Sequence, residues 1–378
     1  MNEGIDYFIV APTSWEKEGL KYRRHRLAEL LWSKDNTRHI YWIYPDHDSF
    51  TSNSVQNHPK VTQISLPYGR GMFRYVGNMC NALIRNPLKP YLAGSGRKVL
   101  FFTYPYFSQL ISLSHWERVV YDCSDYWCGT WVPKTGLRGM VQQFKAYMIR
   151  RTENRISSRV NLGFATSEFL AAHIQRQSKK SFKVIENGVE FDLFKQASPV
   201  REEEIEQIQG VKLGFVGGLK AKIDFDLLLE VSLLKPEWNF LLIGPAHGTI
   251  EDFEALKGRS NIFFLGGKSP ETVPGYMKAL DVGLMPYKNI AYNRAVSPLK
   301  MFEYLAVQIP VVGCGLPTTD KYQETGVYYH TACKADEFVR ACEEALQLKD
   351  KEVYRLKRIR RAQENDWQTK LETIYRSI

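Results

Sequence analysis

Long hydrophobic runs are missing from this 378-residue chain. No uninterrupted apolar stretch approaches the ~20 residues that a bilayer-spanning helix needs. The start, MNEGIDYFIVAPTSWEKEG, lacks the basic-then-apolar order of a signal peptide. Both absences lead us to expect a cytoplasmic protein. Cysteine is scarce, with six in all (80, 123, 128, 314, 333 and 342). No CxxC or Cys/His pair stands at metal-ligand spacing, which argues for reduced, mostly buried thiols rather than a disulfide framework. Low-complexity tracts and residue-level repeats are absent too.

What is present describes a globular chain. Hydrophobic residues make up 44% and charged residues 24%, and the length suits two domains. Net charge is +10, unevenly placed: residues 1–190 hold 26 of the 51 Lys and Arg but only 15 of the 41 Asp and Glu. A basic first half suits an anionic partner such as phospholipid headgroups, a lipid-linked diphosphate or nucleic acid. The same excess could serve solubility alone.

Short apolar runs alternate with helical patterns. Strands are expected at 7–12, 39–45, 61–67, 98–105, 118–124, 162–167 and 182–188. A second series follows at 212–218, 239–245, 261–267, 282–287 and 310–315. Strand–helix alternation means α/β architecture with parallel sheets, and its restart near residue 211 means two doubly wound domains. The acid-rich stretch 191–210 reads as a linker between domains at 1–190 and 211–365. An exposed basic helix is expected at about 350–364. An amphipathic helix at about 366–378, with Trp367, Leu371, Ile374 and Tyr375 on one face, could pack back on the first domain.

Four segments carry chemistry. In SPLKMFEYLAVQIPVVG (297–313), Ser297 suits an N-cap and Pro298 the first helical position. Amides near Leu299 and Lys300 would then face outward and, with the helix dipole, hold an anion. Lys300 adds a cation, and Glu303, one turn on, suits the two hydroxyls of a ribose. The same two residues could form only an i, i+3 surface pair. In VKLGFVGGLKAKIDFD (211–226) a strand ends at Gly217-Gly218, with Lys220 and Lys222 where a phosphate would lie. This segment is neither GxGxxG nor a P-loop. In NIFFLGGKSPETVPGYMKALDVGLMPY (261–287), Lys268 follows a strand whose loop could read a base. In RVVYDCSDYWCGTW (118–131), Asp122 and Asp125 follow a strand beside aromatic residues, where a carboxylate could orient an acceptor hydroxyl or stabilise developing positive charge. Either could instead cap a turn.

Two further stretches, 134–161 and 68–90, combine apolar and basic residues and could form a membrane-facing surface. The alternative is a core-packed helix with solvated arginines. His25 and His173, each alone on a helical pattern, read as structural.

Taken in order, FATSEFL (164–170), VIENGVEFDLF (184–194), LGFVGGL (213–219), the FLGGK…YMKALDVGLMPY run and SPLKMFEYLAVQIPVVG resemble GT-B glycosyltransferases of the family 4 type. The chain is most similar to those of bacterial teichuronic acid synthesis. The resemblance implies two Rossmann-like domains facing across a cleft, the second holding a nucleotide sugar and the first an acceptor, often from a membrane. By motif, Glu303 matches the ribose-binding glutamate, and Pro298, Leu299 and Lys300 the diphosphate-binding helix start. Lys220 and Lys222 match the basic clamp, and Lys268 marks the base-binding loop. Asn293 and Arg294, with Lys288, would lie at the donor sugar, Arg294 as partner for a uronate carboxylate.

Three positions depart from the family pattern. Ala295 stands where a sugar-binding glutamate is common, Leu219 or Lys220 replaces the clamp arginine, and Ala11-Pro12-Thr13-Ser14 replaces a glycine-rich loop. The resemblance implies retention of configuration. No DxD-like motif stands where it would place a metal, so neither metal nor cofactor is expected. The partners expected are a nucleotide-sugar donor, a saccharide or lipid-linked acceptor and an anionic membrane surface, with no nucleic acid. Rival readings are a nucleotide-sugar epimerase of the same fold and an inactive peripheral membrane protein.

Overall fold

The computed structural model describes residues 4–17, 21–46, 59–67, 81–94, 96–130, 132–246, 251–297 and 299–378. Pro298, Cys80 and residues 68–80 of the expected basic surface lie outside the described residues. The chain divides into two compact units, Met1–Glu186 with Leu371–Ile378, and Asn187–Lys370.

Each unit is built on one parallel sheet. The first contains β1 (Ile5–Val10), β2 (Thr37–Asp46), β3 (Val61–Pro67), β4 (Arg97–Phe102), β5 (Arg118–Cys123), β6 (Leu162–Ala165) and β7 (Lys183–Val184). Their order is β3-β2-β1-β4-β5-β6-β7. The second contains β8 (Lys212–Val216), β9 (Asn239–Ile243), β10 (Ile262–Gly266), β11 (Val282–Pro286), β12 (Val311–Cys314) and β13 (Tyr328–Thr331). These run β10-β9-β8-β11-β12-β13. β1 and β11 are buried at every position, because parallel strands covered by helices on both faces need no polar alternation. In both sheets the order reverses beside the first strand, at β1/β4 and at β8/β11. Loops leaving the carboxyl ends at such a point diverge and leave a crevice.

The β8/β11 junction is short. The two strands pair only at Leu213↔Val282 and Gly214↔Gly283. Beyond that, the Val216 amide donates to the Tyr304 hydroxyl at 2.8 Å, and the same hydroxyl donates to the Gly214 carbonyl at 3.1 Å. A Cβ on Gly283 would run into the Tyr304 ring. The Leu299–Ala306 helix that carries Tyr304 is thereby anchored to the sheet beside the crevice.

Three expectations change. Residues 191–210 are not a bare linker, because Phe191, Phe194, Ile205 and Ile208 are buried in the second unit's core. Four apolar anchors in an acid-rich stretch suffice to pin it. The basic helix, Glu352–Gln363, is not wholly exposed. Arg358 is fully buried and donates to the carbonyls of Gln308, Leu348 and Lys349, the last two at the end of the Ala335–Leu348 helix. β13 was not expected at all; it is a four-residue edge strand, Tyr-Tyr-His-Thr, with too little apolar pattern to stand out.

Candidate functional site

The carboxyl edge of the second sheet is lined by glycines that turn the chain out of the sheet. Gly217, Gly244 and Gly266 follow or end β8, β9 and β10 with φ of 150°, 146° and 66°. The Gly217 amide donates to the Ile243 carbonyl at 2.8 Å, and the Gly244 amide to the Gly266 carbonyl at 2.7 Å. A Cβ on Gly244 would overlap the Gly217 carbonyl, so only glycine fits there. Gly218 continues the turn into the loop that carries Lys220 and Lys222.

Lys300 crosses this edge. A Cβ placed on Gly217 would lie 3.2 Å from Lys300 Cε, so the side chain runs against the bare strand end. Its Nζ donates to Glu303 Oε2 at 3.0 Å. The pair is neither sealed nor free: the side chains are 25% and 12% exposed. The i, i+3 pair therefore forms, and it is partly buried. Beneath it, burial and then the Glu303 carboxylate push the Tyr287 hydroxyl above its usual pKa.

The loops around this edge are tied to one another. Backbone amides place the Lys222 carbonyl against Lys288 (3.0 Å), and the Asp224 amide donates to Pro286 (2.7 Å). The Phe225–Leu234 helix starts on Asp224, whose carboxylate accepts from the Leu227 amide. Lys222 Nζ sits 5.6 and 5.8 Å from the ring centres of Tyr287 and Tyr292, so its charge is held over aromatic faces at the mouth of the loop. Lys220 is half-buried, whereas Leu219 is buried, so Lys220 is the residue of that pair able to meet an anion.

Chemically, this edge gathers backbone turns, two lysines from one loop, a third from a helix start and a carboxylate one turn further on, groups that can hold an anion. A match to the family described as "Glycosyl transferases group 1" covers residues 210–348, the stretch that holds it. Over nearly the whole length, the chain is 35% identical to a Bacillus subtilis (strain 168) protein named as a teichuronic acid biosynthesis glycosyltransferase, TuaH. That alignment covers 97% of this chain and 95% of the relative. The chain belongs to the glycosyltransferases. Its fold is that of the GT-B enzymes. Sucrose-phosphate synthase from Thermosynechococcus elongatus matches with a TM-score of 0.72 at 15% identity, covering 98% of both chains. Anabaena Alr3699/HepE in complex with UDP-glucose matches with 0.67 at 14% identity, again covering 98% of both.

Within this glycosyltransferase several expected residues sit elsewhere or are otherwise engaged. The Ser297 hydroxyl does not cap its own helix. It accepts from the Asn187 amide at 3.0 Å and ties the start of the second unit to the site. The Leu299 amide turns back to the Ser297 carbonyl at 2.9 Å. Among the described residues no acceptor meets the Lys300 amide, which leaves that donor for an anion. Asn293 is fully buried, and its amide donates to the Lys222 and Lys288 carbonyls at 3.1 and 2.7 Å. It fixes the two lysine loops rather than reaching a sugar. Arg294, its neighbour on the 3-10 turn Ala291–Ala295, is exposed, while Ala295 is buried. Lys268 is bound by Glu204, with Glu202 at 3.7 Å and the Tyr276 ring centre at 4.7 Å. Burial opposes its charge, but Glu204 and Tyr276 hold its pKa above that of an ordinary lysine.

In the first unit, Asp122 at the end of β5 is buried and spoken for. Arg23 donates Nε to Oδ2 at 2.7 Å and Nη2 to Oδ1 at 3.0 Å, and Nη1 to the Glu186 carbonyl at 3.1 Å. A carboxylate gripped on both oxygens is a structural anchor, not a base. Asp125 stays half-buried, with Oδ1 accepting from the Tyr126 amide at 2.7 Å. Nearby, Trp127 packs on Tyr104 at 4.4 Å. The sequence reading missed Arg23, Gly244 and Tyr304. Only Gly244 left a signal, a glycine closing the apolar run NFLLIG.

Proposed function

We propose that this glycosyltransferase moves a sugar from a UDP-linked donor, with retention, to a saccharide or lipid-linked acceptor in cell-wall polysaccharide synthesis of the teichuronic acid type, at the cytoplasmic face of the membrane. The observation that carries the reading is the half-open Lys300–Glu303 pair lying against Gly217 at the β8/β11 switch point. On this reading the bond from the sugar carbon to the diphosphate oxygen breaks, and the bond to the acceptor oxygen forms on the same face. The acceptor proton passes to the departing diphosphate. Lys220, Lys222, Lys300 and the free amide at the helix start stabilise the charge that develops there. Glu303 holds the ribose hydroxyls, and Asp125 is the remaining candidate to orient the acceptor. Arg294 would pair with a donor carboxylate, and Arg294→Ala leaving uronate transfer unchanged would refute that role.

The test is a thermal-shift panel of nucleotides and nucleotide sugars followed by transfer assays. UDP should raise the melting temperature of the wild type, because a ligand of the folded state stabilises it. Added Mg2+ or Mn2+ should leave the rate of transfer unchanged. No shift with any nucleotide would overturn the reading, and product without acceptor would favour an epimerase.

The membrane part rests on the Gly136–Ser157 helix. Leu137, Met140 and Tyr147 are 77%, 67% and 58% exposed, with Lys134, Arg138 and Lys145 around them. No described helix is long and apolar enough to cross a membrane. An exposed apolar stripe with lysine and arginine beside it suits the interface of an anionic bilayer. Wild-type protein should float with phosphatidylglycerol vesicles and not with phosphatidylcholine ones. Leu137→Glu with Met140→Glu should abolish flotation while UDP binding persists.

A further inference from the structure

We propose that Cys128, Glu153 and His173 of the first unit bind a zinc ion. Cys128 lies in the loop after β5, Glu153 in the Gly136–Ser157 helix and His173 in the Glu168–Ser178 helix. One donor atom from each lies within 4.8 Å of the other two, and Cys128 Sγ is 4.0 Å from His173 Nε2. Zinc bound at about 2.3 Å from sulfur and about 2.0–2.2 Å from nitrogen or oxygen separates its ligands by about 3.5 Å. The donor atoms therefore need to close by up to about 1.3 Å, a side-chain adjustment and not a refolding.

Charge and chemistry agree with this assignment. A thiolate and a carboxylate carry two negative charges, which match Zn2+ and leave the buried site neutral. One sulfur, one imidazole nitrogen and one carboxylate oxygen select zinc over magnesium or calcium. Glu153 is 3% exposed, and its Oε1 accepts from the Tyr121 hydroxyl at 2.6 Å and the Cys123 thiol at 3.8 Å. Those contacts hold the carboxylate as outer-shell partners do. No hydrogen bond among the described residues engages its other oxygen.

Two neighbours must be accommodated. The Gln177 amide nitrogen lies 2.6 Å from His173 Nε2 and would give up that position to the metal. Arg150, whose exposed guanidinium approaches Cys128 and Tyr126, must turn toward solvent as the ion enters. The Cys128 side of the cluster borders a cavity of about 310 Å³, lined also by Trp127, Thr130, Lys134, Gln142 and Ile149. Three protein ligands leave the fourth position to water from that side. The site does not depend on the donor reading, since none of its residues belongs to the nucleotide edge.

The experiment is metal loading of the full chain. Dialysed against trace zinc, the wild type should retain one zinc per chain by elemental analysis. Cobalt in place of zinc should give a thiolate-to-cobalt charge-transfer band. Cys128→Ser should remove the band, and His173→Gln should weaken zinc at least tenfold, whereas Cys333→Ser, at the exposed cysteine of the second unit, should change neither. Wild-type protein that holds no zinc, gives no thiolate band with cobalt, or keeps full zinc as Cys128→Ser would overturn the proposal. The cobalt spectrum of the wild type needs no variant to fold.

Discussion

Two cation–carboxylate pairs, one in each unit, use the same chemistry to opposite ends. Arg23 and Asp122 are 4% and 2% exposed and share two hydrogen bonds. Lys300 and Glu303 are 25% and 12% exposed and share one. The first pair has no face left for a ligand, so its interaction belongs to the fold. The second can exchange its partner for a phosphate or a hydroxyl at small cost. Access, more than residue type, separates the two carboxylates here.

The largest expected effect breaks the sealed pair. Asp122→Ala leaves a buried guanidinium without its carboxylate and should destabilise the first unit by about 3–5 kcal/mol. Urea unfolding followed by a probe in that unit measures it. Replacing both partners, Arg23→Met with Asp122→Leu, should recover most of the loss. An Asp122→Asn protein that keeps wild-type stability but loses transfer would return Asp122 to the chemistry and undo the contrast.

His25 extends the sealed side to pH. It sits on the Arg23–Trp32 helix, accepts from the Tyr22 amide through Nδ1 at 3.1 Å, and its Nε2 meets the Trp15 carbonyl at 3.2 Å. Burial, then Arg24, lowers its pKa from 6.5 to about 4. The folded state therefore prefers the neutral ring. Its contribution is complete above pH 6.5 and is lost as pH falls toward 4, by about 3 kcal/mol at most. Unfolding midpoints across that window should fall for the wild type and flatten for His25→Gln, provided that variant folds; equal slopes would remove His25 as the cause.

How much of this was legible depended on the range of the interaction. The buried strands β8, β9 and β11 announced themselves as apolar runs closed by glycine or proline, because a parallel strand's burial is written in its own residues. The proximity of Lys300 to Glu303 was legible for the same reason, being three residues on one helix. Partners far apart in sequence were not. Arg23 finds Asp122 across 99 residues and Ser297 finds Asn187 across 110, so Asp122 and Ser297 each read as a local feature. The Cys128, Glu153 and His173 cluster escaped notice because its members come from a loop and two helices, with no motif spacing.

The open pair should answer to nucleotide rather than to denaturant. Glu303→Gln keeps the volume and removes the charge that, on the proposed reading, accepts ribose hydroxyls. Hydrogen bonds to a charged group contribute about 1.5–3 kcal/mol, so UDP should bind about tenfold to a hundredfold more weakly. Calorimetry measures this. Inorganic diphosphate, which has no ribose, should lose little. Equal losses for UDP and diphosphate would mean that Glu303 acts only by placing Lys300.

Lys268 offers the smallest effect and the finest distinction. It was expected beside the base, yet its charge is committed to Glu202 and Glu204. Those carboxylates are 47% and 38% exposed, and such partly solvated pairs contribute at most about 1 kcal/mol. Lys268→Met should therefore shift stability by no more than that and change UDP affinity less than twofold. The main chain of the loop after β10 is untouched by the substitution and can still meet a base. A tenfold loss of UDP affinity without loss of stability would show that Lys268 leaves its carboxylates when nucleotide arrives, which would place it with the open pair.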